Sequence, residues 1–536
     1  MKRYTSPILF LAIISILLSA CSGGIFRPAS GSPYTKTPVN AENGNPAWCR
    51  DAVFYEIFVR SFYDTNADGI GDFNGITAKL DYLQSLGITA IWLMPIHPSP
   101  SYHGYDVTDY YAVNPDYGTM DDFKRLLDEA HQRKMRVIID FVINHTSDQH
   151  PWFVEANADP NSPYRDWYVW SDSQPSGYWH PGKTGYYYGY FWGGMPDLNY
   201  RNPAVTAEIE KITAYWLKDI GVDGFRVDAA KHLIEDGDKL ENTPATHEWF
   251  KSFYSFYKSQ KADAYVIGEV YGAGATVAKS YQKQLDQIFS FEMAAGILNS
   301  ASGEANSAIN SAIKFTNAGL PTGDFASFIT NHDQDRAMSV FNGDVEKAKV
   351  AAALLFTAPG NPFIYYGEEI GMQGVKPDED IRLPMQWDAS NAAGFSAGTP
   401  WRMPYSDYPQ LNVLSQENEP NSLLNHYRVM IKLRGEHSAL RTGDVILLET
   451  ASPAVYAIWR ADDKEVILTL VNLTGAPVSD YSLSLNQAVL RNGTYSLEAL
   501  FGEGKAADLT VSGSQFSKFQ PIATLQPHSI HIFQIK

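Results

Sequence analysis

Short apolar runs alternate along this chain with longer stretches in which apolar residues recur at helical spacing. Val53–Val59, Ile88–Leu93, Arg136–Val142, Val222–Val227, Tyr265–Val270, Asp324–Thr330 and Pro362–Tyr366 read as buried strands, with a further candidate at Asp286–Phe291. Ile76, Leu80 and Leu83 mark one face of a helix that ends near Gly87. Phe123, Leu126, Leu127 and Ala130 mark another, which opens on the capping pattern of Thr119 and Asp122. A third carries Ile209, Ile212, Trp216 and Leu217 and stops at Gly221. Near-continuous apolar strands, each followed by a helix, indicate a parallel sheet with helices over its outer face. Eight such units predict an α/β fold, a closed (β/α)₈ TIM barrel; a doubly wound open sheet is the alternative.

Two stretches break this rhythm. About 60 residues after Asn144 are rich in Trp, Tyr, Gly and Pro and show no helical period, too long for an ordinary loop. They predict a domain inserted after the third strand, residues 146–205, between barrel portions 47–145 and 206–442. From Gly443 onward, short strands such as Val466–Val471 are separated by Gly, Asn and Pro turns. That pattern predicts a C-terminal antiparallel β-sandwich domain over residues 443–536.

Composition narrows the classes. Hydrophobic residues at 44% and charged residues at 19% exclude wholesale disorder. A net charge of −18 argues against a nucleic-acid partner, which needs a basic face. Lys2 and Arg3 precede the apolar stretch Ile8–Leu18 and then small residues, the layout of an export signal over residues 1–20. Leu18-Ser19-Ala20-Cys21 resembles a bacterial lipobox, which makes Cys21 a lipidation site; ordinary signal cleavage beside a chance cysteine is the alternative. Residues 21–46, rich in Gly, Ser and Pro, then read as a flexible tether between a membrane anchor and a folded, extracytoplasmic body. Cys49 is left without a disulfide partner.

In a barrel, functional groups gather at the C-terminal ends of the strands. The third strand leads to Asn144 and His145, the fourth reads Gly224-Phe-Arg226-Val-Asp228 followed by Lys231 and His232, the fifth ends at Glu269, and the seventh at Asn331-His332-Asp333. Strand periodicity puts Arg226 and Asp228 on one face, where the cation keeps the carboxylate ionised, as a nucleophile requires. Two carboxylates flanking one bond is the arrangement of glycoside hydrolysis. A separate loop, Asp64-Thr-Asn66-Ala-Asp68-Gly69-Ile70-Gly-Asp72, carries oxygen donors at alternate positions with Gly sixth, which suits calcium. Gly75 at the twelfth position rules out a full EF-hand; a polar turn without metal is the alternative.

These segments together resemble the successive signature regions of the α-amylase family, family 13 of the glycoside hydrolases, from about Trp48 to the C-terminus. By that resemblance Asp228 is the nucleophile, Glu269 the general acid/base and Asp333 the carboxylate that stabilises the transition state. Arg226 orients the nucleophile, His145 and His332 hydrogen-bond the sugar, and Tyr105 stacks beneath it. Lys231 and His232 resemble the amylase pair beyond the cleavage point. The loop of Asp64, Asn66, Asp68, Ile70 (through its carbonyl) and Asp72 resembles the family's calcium loop. Asn144, Asp197 and the His232 carbonyl match a second calcium position; calcium in either place would be structural.

Met195-Pro-Asp197-Leu-Asn199 is similar to a subgroup between the oligo-1,6-glucosidases and the neopullulanase-like amylases. Exo-acting α-glucosidases of the family carry Asp three residues before the stacking tyrosine; here that residue is Tyr102. Conversely, Gly367–Met372 and Met385-Gln-Trp-Asp388 look glucosidase-like. The resemblance implies a monomeric, retaining, endo-acting α-amylase that acts on α-glucans such as starch and maltodextrins. The alternatives are an α-glucosidase or glucan transferase of the same family, or a non-catalytic glucan-binding lipoprotein.

Overall fold

The computed structural model describes residues 32–36, 44–272, 274–320 and 323–536; the expected export signal and Cys21 lie outside them. The eight expected strands all form: β1 (Phe54–Ile57), β2 (Ala90–Leu93), β3 (Arg136–Phe141), β4 (Gly224–Val227), β5 (Tyr265–Gly268), β6 (Gln287–Phe289), β7 (Phe325–Ser327) and β8 (Asn361–Tyr365). They close in sequence order into a parallel barrel, β8 pairing with β1, which excludes the open sheet.

Alternation along each strand sorts residues into two cores. Tyr55, Ile57, Ile91, Val137, Phe225 and Val227 face outward and pack beneath the helices. Phe54, Trp92, Ile138, Tyr265, Phe289 and Phe363 face inward and plug the barrel; Phe54 lies flat on Phe363 with ring centres 4.1 Å apart. Moving two residues along a strand keeps the inward face and climbs the barrel. Phe54 is thus succeeded by Glu56, Ile138 by Asp140, and Gly224 by Arg226 and then Asp228. The interior therefore changes from aromatic at the floor to ionic at the mouth.

Local signals act as the sequence indicates, with adjustments. The first helix breaks into Phe73–Ala78 and Leu80–Leu86, the second ending on Gly87 in the left-handed conformation. Thr119 and Asp122 cap one another reciprocally at the start of Met120–Gln132. The helix Pro203–Ala214 runs on into a π-helical segment, Tyr215–Ile220, that stops at Gly221.

The insert departs from expectation. It contains a helix, Pro151–Ala158, where no helical period is visible. His150 caps its N-terminus, and Phe153 and Ala156 are buried while Val154 stands 48% exposed, so no continuous apolar stripe forms. A three-stranded antiparallel sheet follows, Trp170–Ser171, Gly185–Tyr188 and Trp179–Gly182 in spatial order.

The C-terminal region is antiparallel, with a five-stranded sheet and a three-stranded sheet that share a core of Val455, Trp459, Leu468, Leu483 and Phe516. The segment expected to be wholly tether is partly anchored. Tyr34 is buried against this domain, pairs with Leu490 and bonds to Asp444 at 2.5 Å. Burial of its ring supplies what the Gly- and Ser-rich composition conceals. Cys49 is a free, buried thiol. Among the described residues, no helix is long and apolar enough to cross a membrane.

Candidate active site

Arg226 is the hub of the barrel mouth. It rises from β4 on the inward face, 1% exposed, and holds three carboxylates. Nη1 bonds to Asp140 Oδ1 at 3.0 Å and to Asp228 Oδ1 at 2.6 Å; Nη2 bonds to Glu269 Oε2 at 2.8 Å. Register puts Asp140 on β3 directly opposite Arg226. Strand end β5 delivers Glu269, whose amide bonds to the Val227 carbonyl at 3.0 Å. A buried cation and its acids satisfy one another; either alone would be costly.

The acids are not equivalent. Burial raises Glu269 above the usual glutamate range against the pull of Arg226, and the charges of Asp228 and Asp333 add to the rise. Burial likewise pushes Asp140 up to about 7, with Arg226 opposing. Burial also acts to raise Asp333, but His332 and Arg382 outweigh it and hold the carboxyl below its ordinary range. Arg382 reaches Asp333 Oδ1 at 2.9 Å. One carboxyl inclined to keep its proton thus sits with another held ionised, the division of labour that acid catalysis needs.

Above this layer opens a cleft of about 700 Å³, which Tyr105, His145, Asp228, Lys231, His232, Glu269 and Asp333 all line. Arg226 and His332 lie below its surface. Tyr105 bonds through its hydroxyl to Asp140 at 3.1 Å and stands 2.6 Å from His332 Nε2. Burial pushes His145 down to about 4, so its ring is neutral; its Nε2 lies 3.1 Å from the Tyr105 carbonyl. His232 is stacked on Tyr190 at 4.1 Å, and Lys231 pairs with Glu241 at 2.6 Å. The strand ends therefore bring the sequence-selected catalytic and sugar-binding side chains to one place.

Sequence reasoning missed several neighbours. Asp140 and Glu56 are charges inside apolar strand runs, and that interruption was a usable signal. Arg382 arrives from a loop after β8 with no local signature. Phe191, Trp192 and Tyr271, at 46%, 55% and 59% exposed, form an aromatic rim on the cleft. Large apolar side chains left open to water at a cleft mark a binding surface.

The chain matches the α-amylase catalytic-domain family over residues 56–443. It belongs to the α-amylase family of glycoside hydrolases. It is 44% identical over 438 residues to alpha-amylase 3 of Dictyoglomus thermophilum, covering 80% of this chain and 86% of that protein. To the oligo-1,6-glucosidase of Parageobacillus thermoglucosidasius it is 33% identical over 512 residues, covering 80% and 90%. The crystal structure of an α-amylase from H. orenii superposes with a TM-score of 0.79 at 39% identity, covering 90% of this chain and 99% of that one. As a member of this family the chain is an enzyme.

The two candidate calcium positions differ. In the loop, Asp64 accepts from the amides of Asn66, Ala67 and Gly69, while Asp72 accepts from Thr65 and the Gly75 amide. Asp68 accepts from Asn66 and from the Ile70 amide. The carboxylates thus serve as turn-formers, and among the described residues no three His, Cys, Asp or Glu side chains are gathered as a metal cluster. The donor set is all oxygen, as calcium requires, but Asp64 already accepts four hydrogen bonds, from the amides of Asn66, Ala67 and Gly69 and from the Ser396 hydroxyl, which an ion would have to displace in part. At the second position Asn144 Nδ2 bonds to Asp197 at 3.2 Å, while Asn144 Oδ1 is buried without a partner. Burial, with the charge of nearby Glu235, raises Asp197 well above its ordinary range. An orphaned oxygen beside a buried acid fits a cation, and Glu235, whose Oε1 also has no partner and whose charge acts on Asp197, would supply a further oxygen.

Proposed function

We propose that this enzyme is a retaining, endo-acting α-amylase that cuts internal α-1,4-glucosidic bonds of starch and malto-oligosaccharides. The observation that carries the reading is Arg226 with Asp228 on one arm and Glu269 on the other, at the floor of a cleft that Asp333 also lines. One guanidinium holding both carboxylates keeps them close together, and a close pair, about 5–5.5 Å, is what retention needs. Glu269 protonates the leaving oxygen while Asp228 attacks the anomeric carbon. Water then releases the glycosyl-enzyme with Glu269 as base. Asp333, held ionised, faces the positive charge that develops on the sugar.

Two observations support amylase over glucosidase. Tyr102, stacked on Trp401 with ring centres 5.5 Å apart, holds the sequence position at which the family's glucosidases carry the Asp that grips the chain end. The glucosidase-like motifs serve packing instead: Trp387 is buried against Phe62 at 5.2 Å, and Glu369 bonds to Tyr55 at 2.7 Å, away from the cleft. A product profile on starch, maltose, isomaltose and cyclodextrin tests the reading. Internal cleavage of starch with little action on maltose or isomaltose is expected; glucose released from isomaltose would favour the glucosidase.

Calcium is proposed at the Asp64–Asp72 loop, where it would brace the contact with Phe395, Ser396 and Trp401, and at the Asn144–Asp197 position, beside the cleft-lining His145 and Met195. Chelation is expected to lower the melting temperature, since an ion bound only to the native state adds to unfolding free energy. Asp68→Ala should abolish whatever part of that response comes from the loop. Lipidation at Cys21 and extracytoplasmic anchoring are proposed from the N-terminal signal. Wild type should partition into detergent and Cys21→Ala into the aqueous phase; a soluble wild type would refute the anchor.

A further inference from the structure

Glu56 is a carboxylate set within an apolar strand. It faces inward from β1, only 2% exposed, and its Oε1 lies 2.5 Å from His332 Nδ1. His332 is wholly buried; its other nitrogen, Nε2, stands 2.6 Å from the Tyr105 hydroxyl and 3.2 Å from Asp333 Oδ2.

The donor and acceptor inventory of this ring is restrictive. Tyr105 has one hydroxyl proton for two neighbours, Asp140 and His332 Nε2, so it is Asp333, 3.2 Å from Nε2, that decides the state of that nitrogen. An ionised Asp333 only accepts, so Nε2 carries a proton. At the 2.5 Å contact one proton lies between Glu56 Oε1 and Nδ1, and because imidazole is intrinsically a stronger base than a carboxylate, Nδ1 carries it. We infer that Glu56 is a positioning residue that holds His332 as a doubly protonated, cationic ring locked beside Asp333.

The surroundings agree. Glu56 from β1, Tyr105 after β2, Asp140 from β3, Glu269 from β5 and Asp333 itself are the proton-losing groups around the ring; the cations nearby are Arg226 and Arg382. Burial alone would push His332 down, but Asp333 and Glu56 outweigh it and raise the ring to about 10. The catalytic consequence rests on the proposed hydrolysis: a fixed cation keeps Asp333 ionised to face the positively charged transition state. Glu56 does so without reaching the substrate.

The test uses the full-length protein labelled with ¹⁵N at histidine, by NMR at about pH 8, where an ordinary histidine, near 6.5, is neutral. Wild type is expected to show one imidazolium that is absent from His332→Asn, used only for assignment. In Glu56→Gln the His332 ring should read as neutral. Kinetically, Glu56→Gln should lose about tenfold or more in kcat with a smaller change in KM, and Glu56→Asp should recover part of the loss. A neutral His332 in wild type, or an imidazolium that survives Glu56→Gln, overturns the inference. If Glu56→Gln does not fold, the wild-type spectrum decides. Because the spectra need no substrate, failure of the proposed hydrolysis would show separately, as an enzyme inactive on starch with its imidazolium intact.

Discussion

Arginine is buried in two regions of this molecule, and in opposite company. At the barrel mouth Arg226 faces Asp140, Asp228 and Glu269, whose charges hold it firmly cationic. At the seam between the barrel and the C-terminal domain, Arg434 and Arg460 are held instead by backbone carbonyls. Arg434 donates to the carbonyls of Phe356, Ala358, Gly360 and Leu440, and Arg460 to those of Thr357, Ala358 and Gly443. Most of these carbonyls lie at the C-terminus of the helix Val345–Thr357 and just beyond it, where the helix dipole is negative and carbonyls lack intrahelical donors. Burial lowers the proton affinity of both seam arginines, Arg460 to about 10. One region uses a cation to gather carboxylates; in the other, Arg460 ties the C-terminal domain to the barrel and Arg434 ties barrel segments together, both through backbone carbonyls.

Breaking each region should therefore give different signatures. The largest effect is expected at the mouth. Asp228→Asn should lower kcat by about 10⁴-fold with little change in thermal stability, because shape is kept and the nucleophile is lost. Glu269→Gln should be similarly poor on starch yet retain more activity on aryl glycosides with good leaving groups, which need no proton. Equal losses on both substrates would argue against its acid role.

Arg226→Met tests the hub itself. It should cost activity and also about 3–5 kcal/mol of stability, since removing one partner strands buried charges. The stability loss should depend on pH in a defined direction. Asp140 already titrates near 7 in the fold against about 3.9 unfolded, so the native state binds its proton more tightly. Stability is lost as pH rises from about 4 through about 7, and removing Arg226 should deepen that loss and extend it upward. Denaturant melts from pH 4 to pH 8 would show it, and a pH-independent loss would contradict the hub.

Arg460→Met should produce the smallest effect. Stranding helix-end carbonyls is expected to cost about 1.5–3 kcal/mol, seen as a lower melting temperature, with kcat unchanged well below the transition. A fall in kcat at low temperature would mean that the two regions are not independent.

The sequence by itself determined the strands and their alternation. Apolar runs bounded by turns are local, and period two fixes which residues share a face, so Arg226 and Asp228 were legible as inward neighbours. It also determined the catalytic candidates, since charged residues just past apolar strands have few structural uses. Extended over about 400 residues, such motifs identify a family. Three things were decided only by the tertiary structure. Tyr34 found a partner hundreds of residues away, and the burial that holds it leaves no trace in a Gly- and Ser-rich stretch. The helix at Pro151–Ala158 is held by its cap and by two buried side chains, too few to print a period. Above all, Glu56, Asp140, Tyr105, Arg226, His332, Arg382 and the catalytic acids meet because the barrel closes. Which proton each holds is set by low-dielectric, through-space interactions among residues from separate strands and loops, and those are distances that no spacing along the chain encodes.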